Sequence, residues 1–423
     1  MKKMTKLFGV LLSAMLVVSM FAMATPVAAA DPGNVQWTSQ SLPGSSMLQD
    51  GSDIVDIAVA MDGSTIYVCD GQDGYMYKST NAGQSFSDLE DYEGSYPVAV
   101  AVAPDDEDSI AVVDDNGAIY TSSDAGSSWS ELPTLPSGLA VDVAIGPARS
   151  GTALGREYFV AVVDEDAGDT TDGDIMEIGD NLTWGSSCGA VSGDFDFVAV
   201  AVSPGYLGDR VIVAVGANTV ATEAACIFIN TATDSVVRKT EFDDSAGEIL
   251  DYGNAGNDIL SADIALPNDF DPTSGSGRVA FVGLASSGET DDNDVYRIDD
   301  DDPRALGIGP GTAIASVSYS GTIDEGMLFA GEANDNVIYK TDEVEDNSPD
   351  WDDTSSASGT DGTIVRASVE YADDTTVYAG TSGDESAFSI SIDGKAYFGE
   401  SLIDGYGSNV HYIDDFVITP DGE

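Results

Sequence analysis

Basic residues are scarce in this chain: Lys and Arg together number 15, against 75 Asp and Glu, and His occurs once. A formal net charge of −60 repels phosphate backbones and anionic lipid surfaces, so we expect no nucleic-acid partner. The single histidine, His411, gives neither a Ser-His-Asp arrangement nor a zinc ligand set. These shortages argue against the commonest hydrolytic and zinc-dependent chemistries.

Cysteine is also rare, with three residues in the chain. Cys69 lies inside an apolar run, which favours a buried free thiol. Cys188 and Cys226 fall in consecutive repeats, and they are the pair that a disulfide in an exported chain would join. The sequence gives no distance between the two sulfur atoms, so the bridged and free forms both stay open.

Long apolar runs are missing except at the N-terminus. Three lysines precede the apolar stretch Leu7–Ala22, and Ala-Ala-Ala at residues 28–30 provides a small-residue cleavage site. We predict a signal peptide at residues 1–30 and no transmembrane segment in the mature chain. An extracellular or cell-surface location follows, with the periplasm as the alternative.

Helical periodicity is absent from the mature chain, and short apolar runs that end in a turn recur in its place. Clear copies lie at residues 54–60, 98–103, 141–147, 197–204 and 259–267, and weaker ones at 313–320, 364–372 and 416–420. The copies are spaced by roughly 40 to 60 residues, a period that is typical of propellers and repeat arrays.

Each repeat shows four strands. In the second repeat the run Val98–Ala103 precedes a second strand at Ser109–Val113, an Asp-Asn-Gly hairpin turn at 115–117, a third strand at Ala118–Thr121 and a short fourth strand near Trp129. The opening runs are apolar on both faces and rich in Ala, Val and Gly. Innermost strands of a propeller need both properties, because neighbouring sheets cover them and converge there.

The fold class predicted is therefore all-β: a single β-propeller domain at residues 31–423, built from four-stranded antiparallel blades. The blades begin near residues 54, 98, 141, 197, 259, 313 and 364, with a partial blade at 413. The number is seven, or eight with the last incomplete; an open β-sandwich is the alternative fold. The last opening run, at 416–420, has no following strands of its own, and Val35–Thr38 resembles an outermost strand. The chain is therefore either a seven-bladed ring with strands left over or a fragment of a longer protein. We favour the fragment.

Three turns share a motif with the pattern S/T-x-D-x-G-x-x-W. The complete copy is Ser122, Asp124, Gly126 and Trp129; the second is Ser79, Asn81, Gly83 and Phe86; the third keeps Ser391, Asp393 and Phe398. The acidic or amide side chain can cap the turn, Gly can take a positive φ, and the aromatic ring can fill the gap between sheets.

On these motifs the chain resembles Asp-box (BNR) repeat β-propellers, the superfamily of sialidases, sortilin-type receptor domains and photosystem-II assembly-factor-like propellers. The resemblance implies the fold, and it implies a structural role for the box at the periphery. A sialidase site would need a cluster of arginines, and Arg366 is the one arginine on an opening strand. We therefore expect the superfamily's fold without the sialidase catalytic residues, no catalytic site, and no enzyme activity.

Carboxylates crowd one loop of the third repeat. They are Asp164, Asp166, Asp169, Asp172 and Asp174, and a second crowd lies at 291–302. Neither matches the EF-hand pattern. Calcium is the one cofactor that these loops suggest, and the competing interpretation is a solvated loop adapted to high salt.

Export, acidity, repeats and missing chemistry together predict a non-enzymatic acidic propeller. It would be a cell-surface or surface-layer-like structural or interaction protein that contacts protein or glycan, or associates with itself. The alternative is a periplasmic or extracellular propeller that binds a partner or glycan, or acts as an assembly factor. A sialidase-like glycoside hydrolase is the third hypothesis.

Overall fold

The computed structural model describes residues 53–404, apart from 73, 90–91, 164–172, 187–194, 219–222, 243–258, 287–292, 310, 354–356, 358–360, 369–370, 383–384 and 395–397. The described strands lie in one compact unit, Pro43–Glu423. They form seven four-stranded antiparallel sheets, each made of strands that are consecutive in the sequence.

The first three blades follow one another along the chain. Blade 1 contains β1 (Ile54–Val59), β2 (Ile66–Asp70), β3 (Met76–Ser79) and β4 (Ser87–Asp88). Blade 2 contains β5 (Pro97–Ala103), β6 (Asp106–Asp114), β7 (Ile119–Ser122) and β8 (Ser130–Glu131). Blade 3 contains β9 (Leu139–Ile145), β10 (Tyr158–Val163), β11 (Asp174–Ile178) and β12 (Gly185–Ser186).

Blades 4 and 5 have longer outer strands. Blade 4 contains β13 (Phe195–Val202), β14 (Val211–Asn218), β15 (Glu223–Asn230) and β16 (Ser235–Glu241). Blade 5 contains β17 (Ile259–Ala265), β18 (Val279–Ser286), β19 (Val295–Asp299) and β20 (Asp302–Ala305).

Blades 6 and 7 complete the ring. Blade 6 contains β21 (Ile314–Gly321), β22 (Gly326–Glu332), β23 (Ile338–Thr341) and β24 (Asp352–Asp353). Blade 7 contains β25 (Thr363–Ala367), β26 (Val377–Thr381), β27 (Glu385–Ser391) and β28 (Phe398–Asp404).

Helices are few in the described part of the chain. Two α-helices of four residues occur there, α1 (Tyr206–Asp209) and α2 (Tyr371–Asp374), together with a 3₁₀ turn at Gly275–Gly277. Both α-helices lie in the turn between the first and second strands of a blade. Neither they nor any other described helix is long and apolar enough to cross a membrane.

The hydrophobic core is divided into seven clusters, one between each pair of neighbouring blades. A propeller blade cannot bury both of its faces alone, so each sheet depends on the next one around the ring. Blade 7 packs directly on blade 1: the ring centroids of Phe86 and Phe388 are 4.9 Å apart, and the Tyr378 hydroxyl donates to the Gly63 carbonyl at 2.9 Å. Packing of whole blades therefore closes the ring within the described residues.

The inner strands of blades 1 to 6 share a register shift near their first residues. The residue skipped is Val55, Val98, Val141, Val198, Leu260 or Ala315 in turn. A shift of this kind is a β-bulge, which bends a strand and increases its twist. The repeated bulge therefore gives six inner strands the same bend beside the axis.

The predicted fold class is confirmed, with seven blades. The inner strands begin at residues 54, 97, 139, 195, 259, 314 and 363, within two residues of the predicted starts. The partial blade predicted at 413 and the strand predicted at 35–38 lie outside the described residues, as do residues 1–30.

The seam between blades 1 and 7 provides a stability test at Gly83, whose φ is +83°. A Cβ atom there would lie 2.2 Å from Cε1 of Phe388. Gly63 has a similar φ of +65°, but a Cβ there would meet nothing within 4 Å. We expect Gly63→Ala to cost about 1 kcal/mol of unfolding free energy from backbone strain, and Gly83→Ala to cost about 1–3 kcal/mol more from overpacking.

Urea unfolding of both variants measures this difference. Equal losses at the two positions would contradict the tight contact between blades 1 and 7.

Candidate functional site

The inner strands of the seven blades surround a central channel. Because the strands of each blade are consecutive and antiparallel, the turns after first and third strands lie on one face of the ring, and the remaining turns lie on the other. Pro104, Pro147 and Pro204 occupy turns after first strands. We name this side the proline face and the other side the opposite face.

Described residues of the channel line two cavities, and Arg366 on β25 belongs to the wall of both. The cavity toward the opposite face has a volume of about 400 Å³ and is lined by residues from all seven inner strands. Its wall includes five of the residues skipped by the bulges: Val55, Val98, Val141, Val198 and Ala315. The bulges therefore supply much of the apolar lining of this cavity.

Four charged residues on inner strands line this cavity: Asp56, Asp142, Asp263 and Arg366. We name them the axial belt. Each carboxylate accepts the backbone N–H of the residue that follows it, and each also accepts an N–H from the next blade. The bonds between blades join Val100 to Asp56 at 2.8 Å, Val200 to Asp142 at 2.8 Å, and Val317 to Asp263 at 3.0 Å.

These hydrogen bonds provide acceptors for backbone N–H groups on the open edges of inner strands. An innermost strand has a partner strand on one side only, so its other edge presents N–H groups toward the axis that need acceptors where water is restricted. Serines serve the same purpose in blade 6: Ser316 Oγ accepts the N–H of Val365 at 2.7 Å, and Ser318 Oγ accepts that of Ala367 at 2.8 Å. Aspartate and serine side chains thus hydrogen-bond neighbouring inner strands to each other.

Charge is unbalanced in the axial belt, because three carboxylates share one guanidinium. Arg366 Nη1 lies 2.8 Å from Asp263 Oδ2, and its Nη2 lies 3.7 Å from Asp56 Oδ1. No described Lys or Arg lies within ion-pair distance of Asp142. Burial alone would lower the pKa of Arg366, but attraction by Asp263 and Asp56 outweighs it, so the pKa is raised and the group stays cationic.

Two of the acids in the axial belt have raised pKa values. Burial raises the pKa of Asp142 to about 7, opposed by the N–H of Val200 and reinforced by repulsion from Asp56 and Asp263. Burial raises the pKa of Asp56 to about 6, an effect that Arg366 partly offsets. Both side chains line the cavity inside the ring of inner strands, where little water surrounds them, so burial dominates the shift of both pKa values.

The cavity on the proline face is larger and more apolar. It has a volume of about 710 Å³ and is lined by the ends of the inner strands of blades 1 to 4, the three prolines and Leu207. Arg366 and Ala367 of blade 7 also line it. An apolar cavity at a channel mouth is a typical place for a ligand or a partner side chain.

Seven arginines other than Arg366 line neither cavity. Each contacts a carboxylate, and three cross between blades: Arg156 reaches Asp105 at 2.8 Å, Arg210 reaches Glu157 at 2.5 Å, and Arg238 reaches Asp300 at 3.0 Å. All eight arginines of the chain lie within the described residues, and they do not form a three-arginine clamp at the axis.

The Asp-box residues lie in turns between third and fourth strands, on the proline face. In the complete copy Ser122 donates to Asp124 at 2.8 Å, the N–H of Gly126 donates to Ser122 at 2.9 Å, and the N–H of Ser128 donates to Asp124 at 2.8 Å. Gly126 has a φ of +82°. The hydrogen bonds from Ser128 and Ser122 lower the pKa of Asp124.

The other two copies repeat part of this network. Ser79 donates to Asn81 at 2.9 Å and accepts the N–H of Gly83 at 2.9 Å. Ser391 donates to Asp393 at 3.1 Å, and Phe398 is the first residue of β28. The aromatic residues of the first two copies pack at blade boundaries, Phe86 against Phe388 and Trp129 against Tyr92 with 5.2 Å between centroids.

Most of the predicted calcium ligands lie outside the described residues, namely Asp164, Asp166, Asp169 and Asp172. Asp174 is the first residue of β11. Among the described residues no group of three or more His, Cys, Asp or Glu is arranged to hold a metal ion. In the second acidic run Asp299 and Asp300 are engaged by arginines, and the contact of Asp300 with Arg238 of blade 4 shows that part of that run serves blade packing.

The structure describes two of the three cysteines, Cys69 and Cys226. Cys69 is a buried free thiol, as predicted, and burial raises its pKa. Cys226 is buried on β15, where burial raises the pKa of its thiol. Cys188 and His411 lie outside the described residues, so the Cys188–Cys226 disulfide stays a prediction.

Three short segments of the sequence share a pattern that indicates the axial belt. The tripeptides Asp56-Ile57-Ala58, Asp142-Val143-Ala144 and Asp263-Ile264-Ala265 place an acid at one position of three apolar runs. A carboxylate recurring at one place in buried strands indicates a shared acceptor role.

Solved structures share the fold of this chain. It is similar to the β-propeller domain of Cps50 (Swd1) from Myceliophteria thermophila, with 9% identity and a TM-score of 0.51 over 79% of this chain and 95% of that one. It is similar to an ancestral GH74 enzyme, with 14% identity and a TM-score of 0.54 over 86% of this chain but 47% of that one, so it spans about half of that enzyme.

A third similar structure is Kuenenia stuttgartiensis hydrazine synthase, with 14% identity and a TM-score of 0.54 over 82% of this chain and 96% of that one. No family model matches the chain, and no curated protein matches it. Identities this low show the fold alone, so membership of the Asp-box superfamily stays a prediction.

The raised pKa of Asp142 predicts a pH-dependent stability. Between the ordinary carboxyl pKa of 3.8 and about 7, the folded chain holds a proton that the unfolded chain releases. This contribution to stability is complete below the lower value and is lost as pH rises through the upper one. We expect Asp142→Asn to be more stable than wild type at pH 8, by on the order of 2 kcal/mol, and about equally stable at pH 4.

Denaturant unfolding at both pH values measures the effect, with Asp56→Asn as the matched comparison. The gain in stability of Asp56→Asn at pH 8 should be smaller, because that change also removes one of the two carboxylate partners of Arg366. A loss of stability for Asp142→Asn at pH 8 would contradict the unbalanced charge.

Proposed function

We propose that this chain is an exported, non-enzymatic interaction module of the cell surface, which presents one face of its propeller to a macromolecular partner. The proposal rests on the ion pairs that the arginine side chains form. The axial guanidinium is engaged by Asp263 and Asp56, and the other arginines are engaged by acids away from the channel. A cationic clamp for an anionic substrate is therefore lacking among the eight arginines.

The axial carboxylates are also engaged in structural bonds. Asp56, Asp142 and Asp263 each accept two backbone N–H groups, which orients their oxygens toward strands and not toward a bound substrate. A glycoside hydrolase needs one carboxyl group that is free to donate a proton and a second that attacks or activates water. The hydrogen bonds of the axial belt support a binding role over this chemistry.

A turnover assay tests the non-enzymatic part of the proposal. Purified chain lacking residues 1–30 would be incubated with fluorogenic glycosides, including sialosides, beside an Arg366→Met variant. We expect no release of fluorophore above the buffer rate from either protein. Turnover by the wild type that Arg366→Met abolishes would contradict the proposal, because it would place the guanidinium in a catalytic site.

A second candidate is a surface-layer role through self-association, and the acidic composition favours it. With 75 acidic residues against 15 basic ones, copies of the chain repel one another unless cations screen or bridge the carboxylates. The acidic segment 164–174, which holds the predicted calcium ligands, would supply bridging ligands.

Light scattering during a calcium titration at fixed sodium chloride tests this candidate. For a surface-layer protein we expect large particles that a chelator disperses, and an Asp172→Asn/Asp174→Asn double variant that needs more calcium. A chain that stays monomeric throughout would contradict self-association and leave partner binding as the function.

A further inference from the structure

The proline-face cavity is larger and more apolar than the other channel cavity. Its wall includes the C-terminal ends of the inner strands of blades 1 to 4, at Val59, Val102, Ile145 and Val202. The turns at Pro104, Pro147 and Pro204 form its mouth, and proline restricts their backbone. A concave apolar surface with a rigid mouth loses little entropy when it binds a partner side chain.

One leucine is held exposed at the mouth. Leu207 is 61% exposed and lines the cavity, although its neighbour Tyr206 is fully buried. Tyr206 packs on Phe159 with ring centroids 5.6 Å apart, and its hydroxyl donates to Glu157 at 2.9 Å. Asp209, at the end of α1, accepts the hydroxyl of Ser203 at 2.6 Å. The short helix is therefore fixed on both sides of Leu207, and the leucine stays in solvent.

Charge around the mouth selects the partner. Asp105 in the cavity wall is paired with Arg156, so the negative charge around the mouth comes from neighbouring turns after first strands, which contain Asp62, Asp209 and Asp374. The chain as a whole carries a formal charge of −60. An acidic partner is repelled by this surface, and a basic one is attracted to it.

The floor of the cavity carries the guanidinium of Arg366, whose carboxylate partners Asp56 and Asp263 line the adjoining cavity. The pKa of Arg366 is raised by the carboxylates of the axial belt, so it stays protonated. A lysine or arginine side chain that entered the cavity would meet this guanidinium. The side chain that enters must therefore be apolar, and the basic side chains must remain at the mouth.

We propose that the proline-face cavity is the docking site for a segment of a partner protein that carries an aliphatic or aromatic side chain flanked by Lys or Arg. The apolar side chain enters beside Leu207, and the basic side chains lie over the acidic mouth. This inference rests on the proposed function as an interaction module, and it names the face, the anchor and the chemistry of the partner.

The chain offers a matched control for the anchor. Leu182 is 60% exposed, and it lies in the turn between β11 and β12, also on the proline face but away from the channel. Leu207→Ser and Leu182→Ser remove the same side chain at equal exposure, so both should leave the melting temperature nearly unchanged. Only the first change touches the proposed docking site.

A peptide selection tests the inference. Random heptapeptides displayed on phage would be selected on the immobilised chain lacking residues 1–30, and the enriched sequences would be made as labelled synthetic peptides. We expect enriched peptides with Leu, Ile, Met or Phe between Lys or Arg. By fluorescence anisotropy, Leu207→Ser should weaken their binding roughly tenfold or more, and Leu182→Ser by less than about twofold.

Salt dependence checks the electrostatic part. Raising sodium chloride from about 0.05 M to about 0.5 M should weaken the wild-type complex, because the contacts at the mouth are exposed to solvent. Enrichment of acidic peptides, or binding that is indifferent to salt, would overturn the proposed partner chemistry.

A variant on the opposite face distinguishes docking at the proline face from binding elsewhere on the ring. Tyr96 is 47% exposed and immediately precedes β5, so it lies on the opposite face. Peptides that bind Leu207→Ser normally but fail to bind Tyr96→Ser would overturn docking at the proline face and preserve the interaction module. Failure to enrich any peptide would overturn both.

Discussion

The ring depends on hydrogen bonds that satisfy the open edges of its inner strands. An innermost strand pairs with one neighbour in its own sheet, so its N–H groups on the axial side need acceptors from elsewhere. The carboxylates of Asp56, Asp142 and Asp263 reach across to the next blade and supply them, and Ser316 does so in blade 6. Small residues and repeated bulges let the strands approach closely enough for these short side chains to reach.

The few basic residues of the chain have a structural role in this arrangement. In a chain with 75 acidic and 15 basic residues, the arginines would be expected to scatter over the surface as counter-charges. Several are placed at blade boundaries, where Arg156, Arg210 and Arg238 each contact an acid of a neighbouring blade. Ion pairs of this partly buried kind hold the position of one sheet against the next more than they add to total stability. The outer surface is left strongly negative, and the lining of the proline-face cavity is left mostly apolar.

Periodicity revealed the fold because each repeat must form the same sheet. The inner strand of blade 1 begins at the predicted residue 54, and that of blade 4 begins at 195 against a prediction of 197. The axial belt was not predicted, since Asp142 in the run Val141–Ile145 reads as one polar residue in a buried strand until the ring places it beside Val200. The arginine contacts could not be predicted either, because Arg210 and Glu157 are 53 residues apart in sequence and meet only once two blades pack.

Native-state hydrogen exchange at the amides of Val100, Val200 and Val317 tests whether the aspartate side chains hold neighbouring blades together. If carboxylates of the preceding blade hold these N–H groups, they should exchange as slowly as the amides of the buried second strands, through global opening of the ring. Asp142→Ala should then speed exchange at Val200 and leave Val100 unchanged. Rapid exchange at all three amides in the wild-type chain, at rates typical of exposed turns, would contradict the account.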